Sequence, residues 1–261
     1  MTSDDKHNHL LRFQRFQQSR EKFFAPKLNT ALNNQYKSFL GHVKYLGVDA
    51  VNQITPYEIT KILEDLYFDA AIVYGAKIRA DLNRIKARMP IGFSERMHQL
   101  IMDYFGQDIL NTSLGITETT KELIRNVFIN AYAQGLGIDD IIKQLAHTEL
   151  SRVRARLIAR TETVTSANGG AMIVAMDTGL VLTKGWLATR DSRTRHDHSE
   201  VNGNQVGRDD YFIVGGYEML FPGDRGGKDG RPLVPAKEIC NCRCTTLYEA
   251  KRDANGRLLR A

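Results

Sequence analysis

The glycines of this 261-residue chain are unevenly placed: 8 lie in residues 1–160 and 13 in residues 161–261. Glycine weakens helix interiors and supplies turns, so the chain changes building material partway along. Residues before the change carry apolar side chains at helical spacing, and residues after it carry turn chemistry. The expected fold class is α+β: a mostly helical N-terminal part, then a compact C-terminal α+β module with short strands.

Residues 10–45 read as helical. Thr55-Pro56 is a helix start, with Thr as N-cap and Pro in the first turn. Ile59, Ile62, Leu63, Leu66, Ala70 and Val73 follow at helical spacing, and the helix is expected to run to Met89, where Pro90 stops it. Met97, Leu100, Ile101 and Tyr104 mark a shorter helix. From Thr117 another buries Leu123, Ile124, Val127, Phe128, Ala131 and Tyr132 and ends at Gly135 or Gly137. Asp139 and Asp140 suit the positive start of a helix over 141–147. A long helix spans 150–176, with Gly179 as its C-cap. Residues 181–189 read as a strand. Residues 190–235 are loop-like, with an apolar island at 211–214 and a tight turn at Phe221-Pro222-Gly223-Asp224. Residues 240–248 read as a final strand. The expected division is 1–148, a helical region; 149–250, the α+β module; and 251–261, a polar, frayed tail.

Hydrophobic residues make up 42% of the chain, enough for an ordinary core. A net charge of +6 permits contact with nucleic acid or an acidic surface without requiring it. No apolar run approaches the roughly 20 residues of a membrane span, and the polar N-terminus lacks a signal peptide's apolar stretch. The expectation is a soluble protein of the cytoplasm, or one carried out of it by a route other than secretion.

Two clusters carry the chemistry. Residues 186–198 read W-L-A-T-R-D-S-R-T-R-H-D-H, and residues 240–244 read C-N-C-R-C, which contains all three cysteines. In a strand, Cys240, Cys242 and Cys244 would share one face. Their spacing departs from the zinc knuckle's paired cysteines. A metal would need further ligands from His198, His196, Asp191 or Asp224. The alternative is that buried cysteines simply pack; a disulfide suits a reducing compartment poorly. The run from Asp191 to His198 is either a solvated loop or an ordered network, with Arg193 and Arg195 pairing to Asp191 or Asp224. His198 also suits acid–base work. No nucleophile elbow, phosphate-binding loop, metalloprotease helix motif or dinucleotide fingerprint is present. Gly215-Gly216 and Gly226-Gly227 read as turns. Arg152, Arg156 and Arg160 form one helical stripe that could meet phosphates or acidic residues, partly neutralised by Glu149 and Glu162; the alternative is a solvated face.

The order A-R-T-E-T, W-x-x-T-x-D-x-R-T-R-x-x-H, a glycine-rich stretch, F-P-G-D and N-C-R-C-T resembles the phage Mu protein F-like, or phage head morphogenesis, family of minor capsid proteins. The matching residues are Arg160, Glu162, Trp186, Thr189, Asp191, Arg193, Arg195, His198, Gly203, Phe212, Pro222, Gly223, Asp224, Asn241, Cys242, Arg243 and Cys244, within residues 150–248. The resemblance implies a non-enzymatic phage-head protein that binds the portal, and capsid or scaffold proteins, during assembly in the host cytoplasm. It also implies proximity to packaged DNA and a part in packaging or ejection. Cys240 lies outside the family pattern. That points to His198, Cys242 and Cys244 as the metal-type set, with Asp191 or Asp224 as fourth ligand and zinc as the candidate ion. Trp186, Arg193, Arg195, Asp224 and Arg243 are then structural motif residues.

Two other readings stay open. One is a nuclease or effector-type enzyme acting through His198, Arg193 and Arg195. With the last motif residue at 244, no appended toxin domain is expected. The other is DNA binding through the arginine stripe, which is compatible with a head protein.

Overall fold

The computed structural model describes residues 2–83, 93–146 and 150–260. Helix α1 (Ser3–Leu46) is followed by a short 3-10 segment (Gly47–Gln53), α2 (Tyr57–Asn83), α3 (Phe93–Ala133), α4 (Ile138–Ala146) and α5 (Leu150–Asp177). Then come β1 (Leu182–Leu187), α6 (His196–Glu200), β2 (Gln205–Gly207), β3 (Phe212–Val214), β4 (Tyr217–Met219), α7 (Ala236–Ile239) and β5 (Thr245–Ala250). The α+β expectation holds: long helices first, short antiparallel strands after. Met89, Pro90, His147 and Glu149 lie outside the described residues. No helix among the described residues is long and apolar enough to cross a membrane.

The chain divides into two compact units. One comprises Met1–Glu21, Leu66–Asp103 and Arg160–Ala261; the other comprises Lys22–Asp65 and Tyr104–Ala159. Helices α1, α2, α3 and α5 each supply residues to both. Helix α1 starts earlier than its apolar periodicity suggested, because Thr2 and Asp5 cap it. The Asp5 backbone N–H donates to Thr2 Oγ1 at 3.2 Å, and the Thr2 backbone N–H donates to Asp5 Oδ2 at 2.9 Å.

The Lys22–Asp65 and Tyr104–Ala159 unit is all helical. Its core joins Phe39, Val43, Val51, Ile54, Ile124, Ile141 and Leu145. Helix α3 runs unbroken where the sequence suggested two helices. Its buried stripe passes from Ile109 through Ser113, Thr117 and Thr120 to Ile124, and the middle three are polar. Each finds a partner: Thr60 Oγ1 donates to Ser113 Oγ at 2.8 Å, Gln35 Nε2 to Thr117 Oγ1 at 2.9 Å, and Arg154 Nη1 to Thr120 Oγ1 at 2.7 Å. Partnered polar groups occupy interior positions without the cost of unmet hydrogen bonds. A search for apolar periodicity therefore reads this stretch as a gap.

The other unit packs the rest of α2 and α5 against the strands. A Cβ added at Gly170 would lie 2.4 Å from the Ala71 Cα, and one at Gly75 would lie 2.8 Å from Val174 Cγ2. The two helices thus touch backbone to backbone. Strand order is β2-β1-β5, all antiparallel, with Trp186 opposite Thr246 and Lys184 opposite Tyr248. Strands β3 and β4 form a hairpin closed by Gly215 (φ 56) and Gly216 (φ 84); two successive positive φ values demand glycine-like residues. Buried Lys184 donates from Nζ to the Leu220 carbonyl at 2.9 Å, and burial pushes its ammonium down to about 8. Within the tail, residues 251–260 turn back toward β1. Asp253 Oδ1 accepts the N–H groups of Asn255 and Arg257, and the returning strand places the Val181 N–H on the Leu259 carbonyl at 3.0 Å.

His9, in α1, is buried and shares a 3.1 Å hydrogen bond between Nε2 and the Tyr74 hydroxyl. Burial first, and the Arg12 charge second, lower its pKa from 6.5 to about 4. As pH falls the unfolded chain therefore takes up this proton first. The stability tied to neutral His9 is whole above pH about 6.5 and lost toward pH about 4, by up to about 3 kcal/mol. Urea midpoints of the parent should fall more steeply over that window than those of His9→Gln; equal slopes would remove His9 as the cause.

Candidate metal centre

His198 reaches the interior because α6 is short and begins abruptly. Arg195, extended at ψ 151, precedes it, and the turn before that is closed by the Thr194 N–H on the Asp191 carbonyl at 3.0 Å. Within α6, His196 is exposed while His198 is 1% exposed. Cys242 and Cys244 come from the segment after α7. They do not share a strand face with Cys240, because β5 starts only at Thr245. Asn241 adopts φ 62, its N–H donates to Thr161 Oγ1 at 2.9 Å, and this bend turns the chain. Cys242 and Cys244 point inward, and half-buried Cys240 stays outside the group.

The result is a compact set of donors. His198 Nδ1 lies 3.4 Å from Cys244 Sγ and 3.6 Å from Cys242 Sγ. On the ring's far side, His198 Nε2 is 3.3 Å from Glu238 Oε2, and both side chains are 2% exposed. That contact is off the line of a well-directed hydrogen bond, so both atoms lack a conventional partner. Trp186 packs edge-on against the imidazole at 5.5 Å and against Phe212 at 5.3 Å, walling the site.

The electrostatics favour one ionised sulfur. Hydrogen bonding from Cys244, ahead of His198, holds the Cys242 thiol well below its ordinary range despite burial. The same contact with Cys242, then burial, pushes Cys244 well up. Burial opposes a charged His198, but Cys242, with Glu238 behind it, raises its pKa on balance. Two thiols, an imidazole and a carboxylate thus form a buried cluster with the donor types that a soft divalent cation selects.

The other predicted residues stand elsewhere. Asp191 is not drawn to the three donors. Arg243 binds both its oxygens, at 2.6 and 2.7 Å, and holds its carboxyl well below the usual carboxylate range. Asp224 is likewise committed: Oδ2 accepts the Leu220 N–H and Arg231 Nη1, each at 2.7 Å, and Oδ1 accepts the Gly226 N–H at 3.2 Å. Arg193 is exposed, 3.7 Å from Asp191, and Arg195 donates to the Cys240 carbonyl. Each is thus engaged with another group, while buried His198 faces the cysteines and Glu238. His196 sits near Asp197 and Glu200 in an exposed group. Arg152 and Arg156 are exposed, but Arg160 is spent: Glu21 takes Nε and Nη2 at 2.8 and 2.9 Å, and Asn241 takes Nη1 at 2.6 Å. Glu162 does not neutralise the stripe. It is buried, accepting the Tyr67 hydroxyl and Arg225 Nη2, each at 2.7 Å.

Asn168, which no motif marked, ties these pieces to α5. Its Nδ2 lies 3.1 Å from the carbonyls of Val164, Pro222 and Cys244, and its Oδ1 accepts the Thr245 hydroxyl at 3.0 Å and the Thr246 N–H at 3.1 Å. One turn earlier, Thr165 Oγ1 donates to the Gly223 carbonyl at 3.0 Å, so close that a Cβ at Gly223 would lie 2.7 Å from that oxygen. Asn168→Ala is expected to destabilise the protein by about 3 kcal/mol, since each buried group left unpaired costs about 1–3 kcal/mol. Urea unfolding measures this, and a loss under about 1 kcal/mol would show that water or neighbours replace the amide.

Residues 122–247 match the family described as Phage Mu protein F like protein. Minor head protein GP7 of Bacillus phage SPP1 is 35% identical over 136 residues, 49% of this chain and 41% of that protein. NAD(+)-arginine ADP-ribosyltransferase EFV of Enterococcus faecalis is 31% identical over 161 residues, 58% of this chain and 31% of that protein. The chain thus spans well under half the length of each of these relatives. No solved structure matches. With this match and the motif residues in place, residues 122–247 belong to the phage Mu protein F like family.

Proposed function

We propose that this phage Mu protein F like chain is a minor head protein of a bacteriophage or prophage, carried in the virion. On this reading it binds the portal or the capsid interior and assists head assembly, DNA packaging or DNA ejection. One observation carries the proposal beyond the family match. Four of the motif residues are engaged within the chain: Arg160 on Glu21, Asp191 on Arg243, Asp224 on Arg231, and Trp186 in the core. Side chains committed to internal pairs define a rigid module and are not free to act on a substrate. The transferase name of one relative belongs to a protein of which this chain spans 31%, and buried His198 is engaged with the cysteines and Glu238.

Of the arginine stripe, Arg152 and Arg156 are exposed and left to meet packaged DNA or an acidic face of a head protein. Arg160 is excluded by its pairing with Glu21.

Co-expression of the full chain with the portal protein of the same phage tests the main reading. A stable portal complex, and the chain among the proteins of purified heads, are the expected results. Absence from both would end the proposal. For the DNA contact, the double variant Arg152→Glu/Arg156→Glu should reduce the slope of log affinity against log salt by about 2. An unchanged slope would assign DNA contact elsewhere.

A further inference from the structure

The buried His198–Cys242–Cys244 cluster is more than the packing of two small apolar side chains. Packing alone gives no reason to place the buried Glu238 carboxylate behind His198, since a carboxylate is costly to desolvate even when it is paired. In metal sites a ligating imidazole usually passes its second ring nitrogen to a carboxylate, which fixes the tautomer and aims the other nitrogen. That arrangement is present. Glu238 Oε2 stands 3.3 Å from Nε2, while Nδ1 faces both sulfurs. Zinc bonds of about 2.0–2.1 Å to nitrogen and about 2.3 Å to sulfur, at tetrahedral angles, place those donors about 3.6 Å apart. The observed separations of 3.4 and 3.6 Å are that edge length. All three donor atoms lie within 4.8 Å of one another.

We infer that His198 Nδ1, Cys242 Sγ and Cys244 Sγ bind one zinc ion, with Glu238 as the positioning residue behind the imidazole. The ion replaces the thiol protons, so each sulfur binds as thiolate and the protons leave to solvent. Two thiolates balance the divalent charge. The Glu238 carboxylate is balanced in turn by Lys237 Nζ, 3.3 Å from Oε1. No fourth His, Cys, Asp or Glu atom joins the set among the described residues, so the last position falls to a water. The ligands' near-complete burial beneath Trp186 makes this a structural staple without substrate access. It ties α6 to the segment before β5, positions 44 residues apart from His198 to Cys242.

Support for the β3–β4 turn follows from the same geometry. A Cβ at Gly215 would lie 2.9 Å from Glu238 Oε1, so the glycine of the hairpin turn leaves the space that the carboxylate occupies behind the ring.

The test uses the full chain, made in zinc-supplemented medium, freed of any histidine tag and purified reduced without chelator. About one zinc per chain by elemental mass spectrometry is expected, with a clear fall in melting temperature after chelation. Cobalt(II) added to the metal-free protein should give thiolate-to-cobalt charge transfer and the intense visible bands of a tetrahedral site. Glu238→Gln should weaken zinc affinity about 10- to 100-fold in competition with a chromophoric chelator, while the circular dichroism of the zinc-saturated protein stays unchanged. Cys240→Ser should keep full metal content. Substoichiometric zinc together with no thiolate–cobalt band in the parent chain overturns the site without relying on any variant to fold. Unchanged affinity in Glu238→Gln overturns the role of the carboxylate, and loss of metal in Cys240→Ser overturns the ligand set.

Discussion

The side-chain amide of Asn168 is the contact on which the C-terminal half is organised. One group on α5 satisfies the turn at Pro222, the end of the cysteine segment at Cys244 and the start of β5 at Thr245 and Thr246. These segments lie 54 to 78 residues from it in sequence. Loops inside a protein carry backbone groups that water no longer reaches, and each must find a partner. A planar amide offers donors on one side and an acceptor on the other, so it can serve two segments at once. An aliphatic side chain of the same size could fill the space and leave all of them unmet.

Around that anchor, beside an apolar core that includes Phe13, Trp186, Phe212 and Phe221, pairs of opposite charge fix the loops. Glu162 with Arg225 and Asp224 with Arg231 are largely or fully buried, and each carboxylate accepts more than one hydrogen bond. A buried pair of this kind contributes little net stability against an apolar equivalent, yet losing either partner strands a charge. The loops between β1 and β5 are short of apolar residues and rich in glycine, so directional polar contacts fix their path. The backbone contact of Gly170 with Ala71 supplies the complementary condition, bringing α2 close enough for Tyr67 to reach Glu162.

Much of this was legible in the sequence. The glycine shift marks the change from helices to strands and turns, Gly215-Gly216 marks a turn, and residue type points to the histidines and cysteines, while only the family resemblance separates His198, Cys242 and Cys244 from His196 and Cys240. What escaped was of two kinds. Asn168 and Glu238 act through contacts that leave no periodic trace: Glu238 sits in an ordinary-looking A-K-E-I and Asn168 in a helix. Asp191 and Asp224 were legible as important but not as to partner, since any nearby arginine would have served. The continuity of α3 was hidden because Ser113, Thr117 and Thr120 are polar yet interior. The bend at Asn241 was hidden because a single positive φ has no signature in composition.

The pairing of Glu21 with Arg160, and of Gln17 with the Cys242 carbonyl, bears on how the chain is made. Residues 22–65 and 104–159 form a unit wholly nested within the span of the other. A ribosome releases that unit's parts before Arg160 appears. Residues 9–20 contact α2 at Asp69 and Tyr74, but the Gln17 contact waits for the cysteine segment more than two hundred residues later. Contacts of such wide sequence separation form late and slowly. Phe13 and Phe16 of α1 meet Tyr74 as soon as α2 is made, but Gln17 and Glu21 are among the last to be locked, because their partners lie so much later in the chain.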